Sequence, residues 1–67
     1  MRLDVEGSEL AVLETIPFDK VDIRTVMIEV NHSPKPEVFK LMTFNGYRFI
    51  KELYIDMVFT RDEVPVD

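Results

Sequence analysis

The run IRTVMIEV, Ile23 to Val30, constrains the fold more than any other stretch, because it is dense in β-branched and apolar residues and has no clean polar face. Such a run suits a strand covered on both sides, as in a parallel sheet, and it predicts the central strand. A helical pattern flanks it on each side. Upstream, Leu10, Ala11, Leu13 and Thr15 to Ile16 recur as one buried stripe between Ser8, a good N-cap, and Pro17, which predicts a helix over about 8–16. Downstream, NHSPKP places Ser33 as a cap and Pro34 or Pro36 at the first helical position. Val38, Leu41 and Met42 then form a stripe up to Asn45-Gly46, which predicts a helix over about 34–44.

The remaining segments read as strands. Met1, Leu3 and Val5 alternate with polar residues until Gly7-Ser8 interrupts, the pattern of a strand end followed by a tight turn. After Gly46, YRFIKEL and YIDMVFTR are joined so closely around Leu53 that only antiparallel pairing is open to them. The order is β-α-β-α-β-β, an α/β chain whose right-handed crossovers build a parallel sheet with an antiparallel terminal hairpin at one edge. The first strand begins at residue 1 and has no partner on its far side.

Size and charge narrow the function. A chain of 67 residues is one domain at most and removes only about 60% of its unfolded surface from water. Eight basic against thirteen acidic residues give a net charge of −5, and no run of Lys and Arg offers the positive footprint that nucleic acid requires. The same acidity opposes contact with anionic membranes, and no apolar stretch approaches the roughly 20 residues that span a bilayer. The absence of cysteine excludes a disulfide scaffold, a thiolate zinc site and a cysteine nucleophile. Met1 is followed directly by Arg2-Leu3-Asp4, so the chain reads as a soluble segment without a targeting signal, its compartment unspecified.

The stretch DVEGSEL, at the strand-to-helix turn, resembles the Asp-x-Glu-Gly-x-Glu signature of the FkbM-type methyltransferase family. Ile-Glu-Val-Asn at Ile28 to Asn31, Gly46-Tyr47 and IDMVFTR follow in the family's order. The resemblance covers essentially the whole chain, and its most specific part is Asp4 to Glu9 with Leu10 and Leu13 behind. It implies the S-adenosylmethionine-dependent methyltransferase version of the Rossmann fold, of which this chain is similar to the C-terminal half, the fourth to seventh strands. The last strand would then insert antiparallel, giving the spatial order 1-2-4-3. Residues 1–61 would be a partial domain and 62–67 a flexible acidic tail.

The family's Gly-rich loop and its ribose-holding acid would lie upstream of Met1, and neither Gly7 nor Gly46 sits in a G-x-G pattern. The segment alone is therefore expected to bind S-adenosylmethionine poorly and to be inactive without the missing N-terminal half of the domain. The implied methyl acceptor is a small-molecule or glycan hydroxyl.

In an open parallel sheet the crevice lies beyond the carboxyl ends of the strands, so Asp4 to Gly7 and Val30 to His32 project into the site region. Neighbouring strands about 4.8 Å apart would bring Asp4 or Glu6 within reach of Asn31 and His32. Methyl transfer from a sulfonium to a hydroxyl needs a group to take the acceptor's proton, and it benefits from a negative field around the cationic donor. Asp4, Glu6 and His32 are the catalytic candidates on these grounds. Asp4, Val5 and Gly7 would face the cofactor, and Glu6, Asn31 and His32 the acceptor. Clustered carboxylates suit a divalent cation too, but nothing in the pattern fixes the number of oxygen ligands, and no metal ligand is assigned.

Structural readings compete with these. Asp4 and Glu6 are equally suited to accepting backbone N–H bonds in the turn, His32 to lying solvated in its loop, and Asn31 to satisfying loop backbone. Glu9 reads as complementing the helix dipole. Glu29, whose charge would be costly unpaired in an apolar strand, reads as facing the sheet's end, an exposed edge or a cation such as Arg2 or Arg24, in a structural pair. Phe39, Phe44, Tyr47, Phe49, Tyr54 and Phe59 read as core. The rival to an enzyme segment is a non-enzymatic acidic α/β module that pairs through its exposed first strand.

Overall fold

The computed structural model describes residues 1–31 and 33–62. Its elements are β1 (Arg2–Leu3), α1 (Glu9–Leu13), β2 (Thr25–Glu29), α2 (Lys35–Phe44), β3 (Arg48–Leu53) and β4 (Asp56–Thr60). They form a small α/β fold with a four-stranded mixed sheet in the order β1-β2-β4-β3. β1 and β2 are parallel, and β4 runs antiparallel to both β2 and β3. Both the element order and the strand order 1-2-4-3 agree with the expectations above. Among the described residues, no helix is long and apolar enough to cross a membrane.

The core lies between the sheet and the two helices. β1 to β2 and β2 to β3 step across the sheet in the same direction, so two right-handed crossovers place α1 and α2 side by side on one face. Val26, Ile28 and Val30 from β2 and its exit meet Met57 and Phe59 from β4, Leu13 from the first helix, and Val38 and Met42 from the second. Phe39, Phe49 and Phe59 pack as a cluster with ring centroids 5.7 to 6.4 Å apart. Phe18 meets Tyr47 edge-on at 5.3 Å, and the Arg61 guanidinium stacks 4.6 Å over the Tyr47 ring while donating to the Val21 carbonyl at 2.6 Å.

One-sided helix cover overturns the expectation that IRTVMIEV is covered on both faces. β2 alternates, with Val26 and Ile28 buried and Thr25, Met27 and Glu29 exposed or half-exposed on a face that carries no helix among the described residues. Val58 shares that face and is flanked on neighbouring strands by Met27 and Lys51.

The helices are shorter than the stripes suggest, and their caps differ. α1 tightens after Leu13 into i→i−3 bonds, Thr15 to Val12 and Ile16 to Leu13, ahead of Pro17. Ser8 holds the N-cap position without a side-chain cap bond, and Pro34 rather than Ser33 is the N-cap of α2. The end of α2 is as the pattern predicts. Gly46, at φ 86°, donates to Thr43 and Tyr47 donates to Met42, the paired bonds of a Schellman motif.

Two aromatics expected in the core lie outside it, because their elements end where the sheet no longer covers them: Phe44 closes α2 at 90% exposure, and Tyr54 tips the β3–β4 hairpin at 95%. Phe39 and Phe49 are only half-covered, whereas Tyr47 and Phe59 are buried. Asp62, expected to open a loose tail, is held by Arg48 at 2.7 Å; the rest of that tail lies outside the described residues.

Candidate active site

The turn between β1 and α1 is built on two positive φ angles, 49° at Glu6 and 98° at Gly7, as in a type I′ turn, and the Ser8 N–H closes it onto the Val5 carbonyl at 3.3 Å. Glycine takes this conformation at no steric cost, whereas Glu6 takes it with strain and points into solvent. The turn folds its backbone donors inward onto Glu9, which is 1% exposed. The Glu9 carboxylate accepts the N–H of Val5 at 2.7 Å, the N–H of Gly7 at 2.9 Å and the Ser33 hydroxyl. Burial pushes its pKa up, but the bonds from Ser33, Val5 and Gly7 outweigh burial and hold it below its ordinary value. Glu9 thus ties the turn after β1 to the loop after β2, a tertiary role beyond the dipole role expected of it.

Beside this tie, a row of carboxylates crosses three neighbouring strands. The β1–β2 register pairs Leu3 with Ile28, and its next step places Asp4 across from Glu29, which is itself paired with Asp56 on β4. Arg2 spans the row, 3.2 Å from Asp4 and 3.3 Å from the buried Asp56. Asp4 and Glu29 share a hydrogen bond, and its effect is opposite on the two groups. The Glu29 carboxyl is pushed above its ordinary pKa, first by the bond to Asp4 and then by burial; Asp4 is held below its own, first by Glu29 and then by Arg2. The two carboxyls therefore titrate as an interacting pair, Glu29 at higher pH than Asp4. Oxygens of Asp4, Glu9 and Glu29 lie within 4.8 Å of one another, a spacing compatible with a cation, although Glu9 already accepts three donors.

This pairing makes a testable prediction. Asp4→Asn removes the negative charge beside Glu29 and adds an amide donor, so the Glu29 carboxyl should titrate at lower pH than in the native chain. Side-chain carboxyl NMR across the acid range checks this, and an unchanged Glu29 titration would break the pairing. In the native chain, the raised Glu29 pKa makes that group's contribution to stability complete below its ordinary value and lost as pH rises through the folded-state pKa.

Of the residues proposed from sequence, Asp4 occupies the carboxylate row, Glu6 and Gly7 form the turn, and the Val5 N–H is committed to Glu9. Asn31 lines a small cavity with Val30, Lys35, Tyr54 and Ile55. His32 lies outside the described residues. Glu29 lies at the sheet's end, as expected, in the field of Arg2 but nearer in effect to Asp4, whereas Arg24 pairs with Asp22 at 3.1 Å. Ser33 and Asp56 went unnoticed as members of this rim. Strand parity carried a signal for Glu29, because it shares a face with Met27 and Thr25, but placing Asp4 opposite required the register.

A family model for the FkbM methyltransferase domain matches residues 1–49. The chain belongs to the FkbM methyltransferase family. The matched residues contain the turn, Glu9, both members of the Asp4–Glu29 pair and the first of the hairpin strands up to Phe49. Membership implies a methyltransferase segment and a methyl donor. No curated protein and no solved structure matches the chain.

Proposed function

We propose that this FkbM segment supplies the carboxylate rim of an S-adenosylmethionine-dependent O-methyltransferase of Rossmann-like architecture. The observation that carries the reading is the Asp4–Glu29 pair, two carboxyls facing each other at the carboxyl ends of parallel strands, where open α/β sheets hold their ligands. The donor set suits a cationic cofactor, because the rim gathers Asp4, Glu6, Glu29 and Asp56 around Arg2, with Lys35 farther along it. S-adenosylmethionine would supply an electrophilic methyl group. The Asp4 carboxylate would orient the acceptor hydroxyl and take its proton as the oxygen–carbon bond forms and the sulfur–methyl bond breaks with its electron pair returning to sulfur, and Glu29 would flank Asp4 on the next strand. Glu6 stands at the solvent side of the rim and Asn31 at its far side, both within the region that an acceptor would occupy.

With only Gly7 and Gly46, the chain has no glycine-rich cradle for the donor's nucleoside, and alone it should be inactive. The rival reading, an interaction module, draws on β1 standing at the edge of the sheet. Two measurements test the enzyme reading. Titration calorimetry of this chain with S-adenosylmethionine should show no submillimolar binding. Asp4→Asn, placed in a catalytically complete protein, should lower turnover by about 10² to 10⁴ with the fold retained. Unchanged turnover would remove Asp4 from the chemistry.

A further inference from the structure

The hairpin between β3 and β4 turns on Tyr54 and Ile55 alone, with Leu53 and Asp56 as its closing pair. Tyr54 adopts φ 61°, a conformation in which a Cβ is crowded and which tight hairpins ordinarily assign to glycine or asparagine. Its ring does nothing for the fold: it is 95% exposed and, among the described residues, makes no ring contact, ion pair or hydrogen bond. The strain is also fixed in place. The Val30 N–H donates to the Ile55 carbonyl at 2.8 Å and pins the tip to the exit of β2. Glu6, the other described non-glycine residue with positive φ, stands on the same rim. Strained, exposed side chains held on a rigid frame are characteristic of ligand sites.

Tyr54 closes one side of a cavity of about 200 Å³ whose other walls are Val30, Asn31, Lys35 and Ile55. The Lys35 ammonium is anchored there by Glu52 at 3.4 Å. The space is smaller than the roughly 300 Å³ of a drug-sized pocket, so it suits a single ring. Beside the Tyr54 ring the lining supplies the Asn31 amide and the Lys35 ammonium as well as Val30 and Ile55, a mixture that suits a ring with C–H bonds on one face and hydroxyls around its edge. The electron-rich face of a tyrosine attracts such polarised C–H bonds.

We infer that Tyr54 is the platform for the methyl acceptor and that the acceptor is a pyranose sugar, stacked on the ring with its hydroxyls toward Asn31 and Lys35. The inference rests on the reading of this rim as a hydroxyl-acceptor site. Tyr54 is retained for binding at the expense of the turn, so the two effects should separate on substitution.

The test uses the 67-residue chain and methyl β-D-glucopyranoside, followed by backbone amide NMR and by thermal melting. In the native chain, shifts should concentrate at Val30, Asn31, Lys35, Tyr54 and Ile55. Tyr54→Gly should weaken the sugar by about tenfold or more while raising the melting midpoint by about 4 °C. Tyr54→Phe keeps the stacking face and should bind within about twofold of native, a change of a few tenths of a decade in Kd. The proposal is overturned if the sugar leaves these amides unmoved, if catechol moves them and the sugar does not, or if Tyr54→Gly binds as well as native or melts no higher. The outcome is independent of the Asp4 experiment. A chain that binds sugar but belongs to no O-methyltransferase would refute only the enzyme reading, and one that fails to bind sugar would refute only the platform.

Discussion

Glu9→Ala should destabilise the chain by about 4 kcal/mol, enough to leave much of it unfolded at room temperature. The substitution deletes an acceptor that serves two backbone N–H groups and a hydroxyl in a dry site, and each orphaned donor costs about 1–3 kcal/mol. The total stability of a chain this short is only a few kcal/mol, at roughly 0.05–0.15 kcal/mol per residue.

Glu9→Gln discriminates between a bonded acceptor and a helix-dipole effect. Its amide oxygen can accept one N–H, but its NH₂ group then faces the other, so a loss of about 2 kcal/mol is expected, whereas a dipole role alone would be worth less than about 1 kcal/mol. Urea denaturation of the three proteins at neutral pH checks the order. A Glu9→Gln protein as stable as native would show that the carboxylate is not the keystone of the turn. The depressed pKa of Glu9 sets the sign of the pH effect: its contribution is complete above the ordinary carboxylate value and is lost as pH falls through the folded-state value. The native chain should lose stability in acid, and Glu9→Gln should lose less.

Phe59→Ala should cost about 3–5 kcal/mol. Phe59 is fully buried on β4, its ring 5.7 Å from Phe49 and 6.4 Å from Phe39, where the inner strands meet the helical layer. Truncation leaves a cavity in the middle of the sheet that neither neighbour can fill without abandoning its own contacts. Phe44→Ala is the control. At 90% exposure it should change stability by no more than about 0.5 kcal/mol, although composition alone treats the two residues alike. Comparable losses from both substitutions, measured by thermal or urea unfolding, would contradict the placement of the core.

The elements were legible because each is a local property. The stripe in α2, its Asn45-Gly46 stop and the hairpin forced by the short join at Leu53 follow from periodicity and turn chemistry. The DVEGSEL turn was legible for the same reason, and so was the location of Asp4 at a strand end. Burial was not, since Phe44 and Phe59 differ only in what lies over them. Glu9 looked like any first-turn acid until the positive φ angles at Glu6 and Gly7 aimed two N–H groups at it and the Ser33 loop passed within reach.

By itself, the sequence determined the order of strands and helices, their approximate bounds, the antiparallel hairpin and the family resemblance through the Asp4 to Glu9 hexad. All of these are written in neighbouring residues. Only the tertiary structure decided that one face of the sheet carries no helix among the described residues, that Glu29 stands opposite Asp4, and that Glu9 is the buried tie. Each of these depends on strand register and on which face a crossover covers, relations between residues more than twenty positions apart that no local pattern encodes.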